Sequence, residues 1–176
     1  MLTTTLPRRI FFAMVGLAAY HAWHLSQVLP PRVASHFDAA GVANGWMERD
    51  AFVMVYAGVI ALMTVMFLVI GLMERLPDSA INLPNKPYWL DPSRRAATFA
   101  WMRGWSSLFG AGTLALMVGI MQLAAKVNLG EAETLGDRAW VLLGGFVAFA
   151  VALSVLMILR FARKPAGGPA RPGDPS

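Results

Sequence analysis

The chain has 176 residues, of which 57% are hydrophobic and only 14% charged, with a positive mean hydropathy. A soluble domain carries about 25% charged residues, so this composition excludes an ordinary water-soluble globule. The net charge of +5 does not read as a nucleic-acid surface, because the basic residues gather at the ends of apolar runs, and the lack of cysteine excludes disulfides and thiol chemistry.

The first apolar run, 10–29, follows Arg8 and Arg9 and stops at Pro30-Pro31. A hydrocarbon core of about 30 Å needs ~20 helical residues, so the run is long enough to span and too long for a signal peptide. Ala13, Gly16, Tyr20, His24 and Gln27 fall on one narrow helical face, with His21 on its flank. Small and polar residues on one stripe predict a face turned toward protein.

The connection that follows, Leu29 to Trp46, reads as an ordered outward loop: two prolines restrict its exit, while Gly41 and Asn44-Gly45 suit turns. The second run, 51–73, contains no charged residue and carries a stripe of Ala57, Ala61 and Thr64. A cytoplasmic loop then reads Asn82-Leu83-Pro84-Asn85-Lys86-Pro87-Tyr88-Trp89-Leu90. Its prolines predict that it is not helical, and its aromatic end predicts docking.

Asp91-Pro92 supplies an N-cap and a proline at the first helical position, so the third helix is expected to begin before the membrane. Its span is placed at 104–125, with a stripe of Ser107, Ala111, Ala115, Gly119 and Gln122. Trp101 and Trp105 suit an aromatic belt, and Arg103 is expected to snorkel to headgroup phosphate. The fourth span, 139–160, is free of charge up to Arg160 and shows Gly144, Gly145, Ala148 and Ala152. These spans make one all-α, four-transmembrane-helix bundle over 1–164, and the Pro- and Gly-rich segment 165–176 is expected to be a disordered tail.

Orientation follows from the loops. On the side of the N-terminus lie Arg8, Arg9, Arg75, Lys86, Arg94, Arg95, Arg160, Arg163, Lys164 and Arg171; on the other lie Arg32, Arg49, Lys126 and Arg138. Both termini are therefore expected in the cytoplasm.

Two segments in this order resemble a known family. The pattern L-P-x-x-V-x-x-H-F-[ND]-x-x-G-x-x-[ND]-G-W, here with His36, Phe37, Asp38, Gly41, Asn44, Gly45 and Trp46, is similar to domain-of-unknown-function family 1648. That domain forms the N-terminal part of SdpI-like toxin-immunity proteins. The cytoplasmic motif, with Asn82, Pro84, Asn85, Lys86, Tyr88, Trp89 and Leu90, resembles the segment after the second helix in many members. The likeness covers about 13–125. It implies a bacterial plasma (inner) membrane protein and, for the SdpI-like members, protection against a secreted peptide toxin coupled to signalling. Members often carry proline where this chain has Ala34, a departure expected to loosen the loop before His36.

No Ser/His/Asp set, His-Glu-x-x-His motif, Gly-rich phosphate loop or intramembrane carboxylate pair occurs, so neither an enzyme nor a cofactor is expected. The favoured reading is a non-enzymatic sensor, immunity or envelope-accessory protein in the lipid bilayer, with a peptide or membrane-protein partner, or a second copy of itself. A different reading gathers His21, His24, His36 and Asp38 into a zinc or proton site at the outer end of the first helix, in a channel or carrier. Polar groups available for a pathway are few: Tyr20, His24, Gln27, Thr64, Ser107, Thr113 and Gln122.

Overall fold

The computed structural model describes residues 5–163; the expected tail at 165–176 lies outside the described residues. The elements run α1 (Thr5–Val28), β1 (Arg32–Phe37), β2 (Ala43–Glu48), α2 (Arg49–Ile70), α3 (Lys86–Trp89), α4 (Pro92–Asn128) and α5 (Asp137–Ala162), with short 3-10 turns at Gly71–Arg75 and Asp78–Ala80. Three stretches are long and apolar enough to cross a membrane: Arg49–Arg75, Arg95–Asn128 and Asp137–Ala162. The first of the four expected spans is not among them. Helix α1 has the length, at 24 residues, but His21, His24, Ser26 and Gln27 make its outer turns polar.

That polar helix nonetheless packs into the bundle, whose central member is α4. Helix α1 packs against α4 and α2, whereas α5 packs along α4. The core comes from α1, β1, α2 and α4 and includes Phe11, Ala18, Leu25, Val33, Tyr56 and Leu114. On α1 the buried residues are Pro7, Phe11, Ala18, His21, Ala22 and Leu25, which repeat at helical spacing along one face. The stripe expected to face protein, Ala13, Gly16, Tyr20, His24 and Gln27, lies on the opposite, exposed face. Ala57 and Ala61 on α2, and Gly144, Gly145, Ala148 and Ala152 on α5, are exposed as well. On α4, by contrast, two members of the expected stripe do face protein: Ala111 is buried in the core and Gly119 meets Leu142 of α5.

Helix α4 is approached closely on two sides. A Cβ added at Gly110 would lie 2.7 Å from the Phe67 ring and 2.8 Å from Phe11, and one at Gly119 would lie 2.9 Å from Leu142 of α5. The indole N–H of Trp105 donates to the Leu153 carbonyl at 3.0 Å, so this ring seats α5.

The cap of α4 forms as the sequence indicates: the Asp91 carboxylate accepts from the Ser93 N–H at 2.9 Å and from the Ser93 hydroxyl. Two expectations on this side are corrected. The loop before α4 contains one helical turn, α3, because Pro87 sits in its first turn, where the missing N–H has no partner to lose. Arg103 does not stand free to snorkel; it pairs with Glu74.

Candidate functional site

The loop between the first two long helices is a β-hairpin. Pro30 and Pro31 end α1, and the Arg49 N–H closes the base by donating to the Pro31 carbonyl at 2.8 Å. The strands pair antiparallel from Arg32↔Glu48 to Phe37↔Ala43, with irregularities on either side of His36. These follow from an extra residue on each strand, Ser35 on β1 and Asn44 on β2. Gly45 permits the offset: a Cβ there would lie 3.0 Å from the Cβ of His36.

The tip is organised by Asp38. One carboxylate oxygen accepts from the N–H groups of Ala40 and Val42, both at 2.9 Å, and the Asp38 carbonyl accepts from Gly41. Gly41 has φ +77°, a region where a side chain is strained, and it passes close to the α4–α5 connection. The Leu135 N–H donates to its carbonyl at 3.0 Å, and the Trp140 indole donates to the Ala39 carbonyl at 3.3 Å.

The hairpin's second fastening is Asn128, at the end of α4. Its side-chain oxygen accepts from the Ala34 N–H at 2.6 Å, and its amide donates to the Ala34 carbonyl at 3.0 Å. The sequence expectation that Ala34 loosens this loop is therefore corrected. A proline at that position has no N–H and could not make the first bond.

Beneath the hairpin lies a polar node. His21 is buried, with Nε2 at 2.9 Å from Gln122 Oε1 and Nδ1 at 3.2 Å from the Tyr56 hydroxyl. The two ring nitrogens thus meet an amide oxygen on α4 and a hydroxyl on α2. One imidazole joins α1, α2 and α4, and both ring nitrogens have a partner.

The structure does not bring the four metal candidates together. His21 is occupied as described. His24 is exposed and stacks on Tyr20 with ring centroids 6.3 Å apart. His36 is exposed, its Nδ1 at 3.0 Å from the Ser35 hydroxyl, and Asp38 is engaged within the turn. Among the described residues no three His, Asp or Glu side chains form a group suited to a metal. Phe37 is half-buried and Asn44 exposed, while Trp46 stands 55% exposed on β2.

The second motif, between α2 and α4, makes a clasp on the end of α5. Asn85, in the left-handed region at φ 52°, donates its amide to the carbonyls of Phe161 and Ala162, both at 3.0 Å. The Trp89 indole donates to the Phe161 carbonyl at 3.2 Å. The last carbonyls of a helix have no partner within it, so the loop supplies the missing donors. Leu90 is buried with Ile81 and Phe99. The Arg160 guanidinium lies over Trp89 and Trp101, at 5.3 and 4.6 Å from their ring centroids, and Arg94 lies over Tyr88 at 4.3 Å. Asn82, Pro84 and Pro87 are exposed, and Lys86 opens α3. Arg95 ties down the preceding segment, binding Asp78 and donating to the carbonyls of Glu74 and Leu76.

Asn128 and Tyr56 are not legible in the sequence as site residues, and nothing local joins His21 to Gln122. Asn128 meets Ala34 across 94 positions, and no local pattern signals such a contact. Tyr56, a lone polar group near a helix end, reads equally well as a belt residue. No protein-family model, curated protein or solved structure matches this chain.

Proposed function

We propose that this chain is a non-enzymatic protein of a bacterial plasma membrane that recognises a peptide or protein partner through its outward hairpin, as a sensor, immunity or envelope-accessory protein. In this reading all four long helices cross the bilayer, α1 being sheltered by α2 and α4, and both termini are cytoplasmic. One observation carries it. The hairpin is fastened at its base, at Ala34 and at its tip, yet it displays His36 and Trp46 to the outside. Ordered loops that hold exposed aromatic and polar groups on a rigid scaffold are the usual place for binding. The resemblance to SdpI-like immunity domains supports the same face, since its first motif is this hairpin.

The test is genetic. A deletion strain is challenged with secreted peptide toxins and envelope-stressing agents, then complemented with the intact gene or with the His36→Ala, Trp46→Ala double variant. The expected result is heightened sensitivity that only the intact gene reverses. Unchanged sensitivity of the deletion strain would overturn the reading.

A second reading, a proton-responsive carrier or channel, draws on the node at His21. Protonation would put an N–H on both ring nitrogens and a charge in an apolar core. Proton flux through proteoliposomes that is the same for the intact protein and His21→Gln would remove it.

A further inference from the structure

The carboxylates at the clasp end of the molecule are all committed. Glu74 pairs with Arg103, Asp78 with Arg95, and Asp91 with the N–H and hydroxyl of Ser93. The other acidic side chains among the described residues, Asp38, Glu48, Asp50, Glu131, Glu133 and Asp137, belong to the hairpin end.

Arg160 therefore has no carboxylate to meet among the described residues. Its guanidinium lies over Trp89 and Trp101, its Nε is buried without an acceptor, and the residue as a whole is half-buried. Aromatic faces attract a cation but take no hydrogen bond in the guanidinium plane, as an anionic oxygen does. An arginine that merely snorkels reaches out toward water. This one lies back on rings that are themselves held, Trp89 by its bond to the Phe161 carbonyl and Trp101 edge-on against the Phe161 ring. With Nε turned to the interior, the two Nη groups are the edge left open, a fixed fork of the kind that suits phosphate.

Depth decides which anion can reach that edge. From Asp137 to Arg160, α5 rises about 35 Å, slightly more than a hydrocarbon core of about 30 Å. With α5 across the bilayer, Arg160 stands in the headgroup layer, where the abundant anion is the lipid phosphodiester. Arg94 adds a second cation nearby: it lies over Tyr88, whose ring meets Trp89 edge-on. A zwitterionic headgroup brings its own ammonium to such a place, whereas an anionic one brings the missing charge.

We propose that Arg160, seated on Trp89 and Trp101, binds the phosphate of an anionic phospholipid and so fastens the clasp to the membrane surface. The proposal needs α5 to cross the bilayer and is independent of what the hairpin binds.

The full-length protein in detergent micelles is unfolded by heat with added phosphatidylglycerol, phosphatidylcholine or inorganic phosphate. Phosphatidylglycerol at roughly ten times its dissociation constant should raise the midpoint by about 3–6 °C, while the other two leave it within about 1 °C. Arg160→Gln should lose the rise. Arg163→Gln, the same change of charge at an exposed position beside it, should keep the rise, and Arg160→Lys, which has the charge without the fork, should keep only part of it. Native mass spectrometry from micelles holding both lipids in equal amounts reads the parent protein directly, even where Arg160→Gln does not fold, and phosphatidylglycerol should be retained in preference. Equal retention of the two lipids overturns the proposal. So does a rise that persists in Arg160→Gln, one that inorganic phosphate matches, or one lost equally in Arg163→Gln, which is the mark of diffuse charge.

Discussion

Two connections of this molecule, the hairpin between α1 and α2 and the segment between α2 and α4, are built by the same device and put to opposite uses. Each is fastened by an asparagine whose side chain stands in for a strand or a helical turn: Asn128 at Ala34 on the hairpin, Asn85 at Phe161 and Ala162 on the clasp. In the clasp almost everything distinctive is used up. Trp89 and Leu90 are buried, Asn85 caps α5, and Arg160 is held between two indoles. The hairpin is fastened as firmly but keeps Trp46 and His36 unspent. A connection whose distinctive residues all face inward holds the fold together. One whose distinctive residues face outward is available to a partner.

The comparison is broken most directly at the clasp. Trp89→Ala removes a buried indole, its bond to the Phe161 carbonyl, and its contacts with Phe161 and Arg160. A truncation of that kind costs about 3–5 kcal/mol. Thermal unfolding in detergent micelles, followed by near-UV circular dichroism, should show a lowered midpoint. A variant as stable as the parent would mean that the clasp does not hold α5.

The same logic at the hairpin gives a smaller, more local effect. Asn128→Leu leaves the Ala34 N–H and carbonyl without their partner, a loss of about 2 kcal/mol for partly buried groups. Hydrogen exchange at Ala34 should accelerate while the helices stay protected. Asn128→Asp retains the acceptor for the Ala34 N–H but not the donor for its carbonyl, so its exchange should fall between the two.

Much of the scaffold could be read from residues and some of it could not, for a physical reason. Long uncharged runs must become helices where lipid offers no hydrogen bonds, and Asp91-Pro92 is a local signal for a helix start, so these were legible. Which face of a helix turns inward was not. In lipid the outside is as apolar as the inside, so hydrophobic periodicity loses its meaning, and small residues mark only where a close approach is allowed. On α1 this led to the wrong face: Ala13, Gly16 and Tyr20 are exposed, while Phe11, Ala18 and His21 are buried. Within the candidate site, Gly41 was legible as a turn residue, but the pairing of β1 with β2 and the reach of Asn128 were not. Both depend on contacts distant in sequence.

Acid should distinguish the two sides again, by a smaller margin. The Ser93 hydroxyl and N–H bind the Asp91 carboxylate and hold its pKa below the ordinary carboxylate range. A lowered folded-state pKa gives stability that is complete above the unfolded value and disappears as the pH falls through the folded one. The start of α4 should therefore keep its cap at neutral and mildly acidic pH and loosen only below the usual carboxylate range. Hydrogen exchange at Ser93 and Arg94, followed as the pH is lowered, would show it; in Asp91→Asn the same amides should respond less to acid.

The smallest effect on stability is the one that matters most for the hairpin. His36 and Trp46 are exposed, so replacing either with alanine should change stability by less than about 0.5 kcal/mol. Clasp residues with comparable chemistry should tolerate replacement less well, because Trp89 is buried and bonded to the Phe161 carbonyl. If His36→Ala and Trp46→Ala unfold at the parental midpoint and still fail to restore resistance to a deletion strain, the exposed groups are kept for a partner and not for the fold. If instead they lower the midpoint as Trp89→Ala does, the hairpin is a second clasp, and the distinction between the two faces of the molecule disappears.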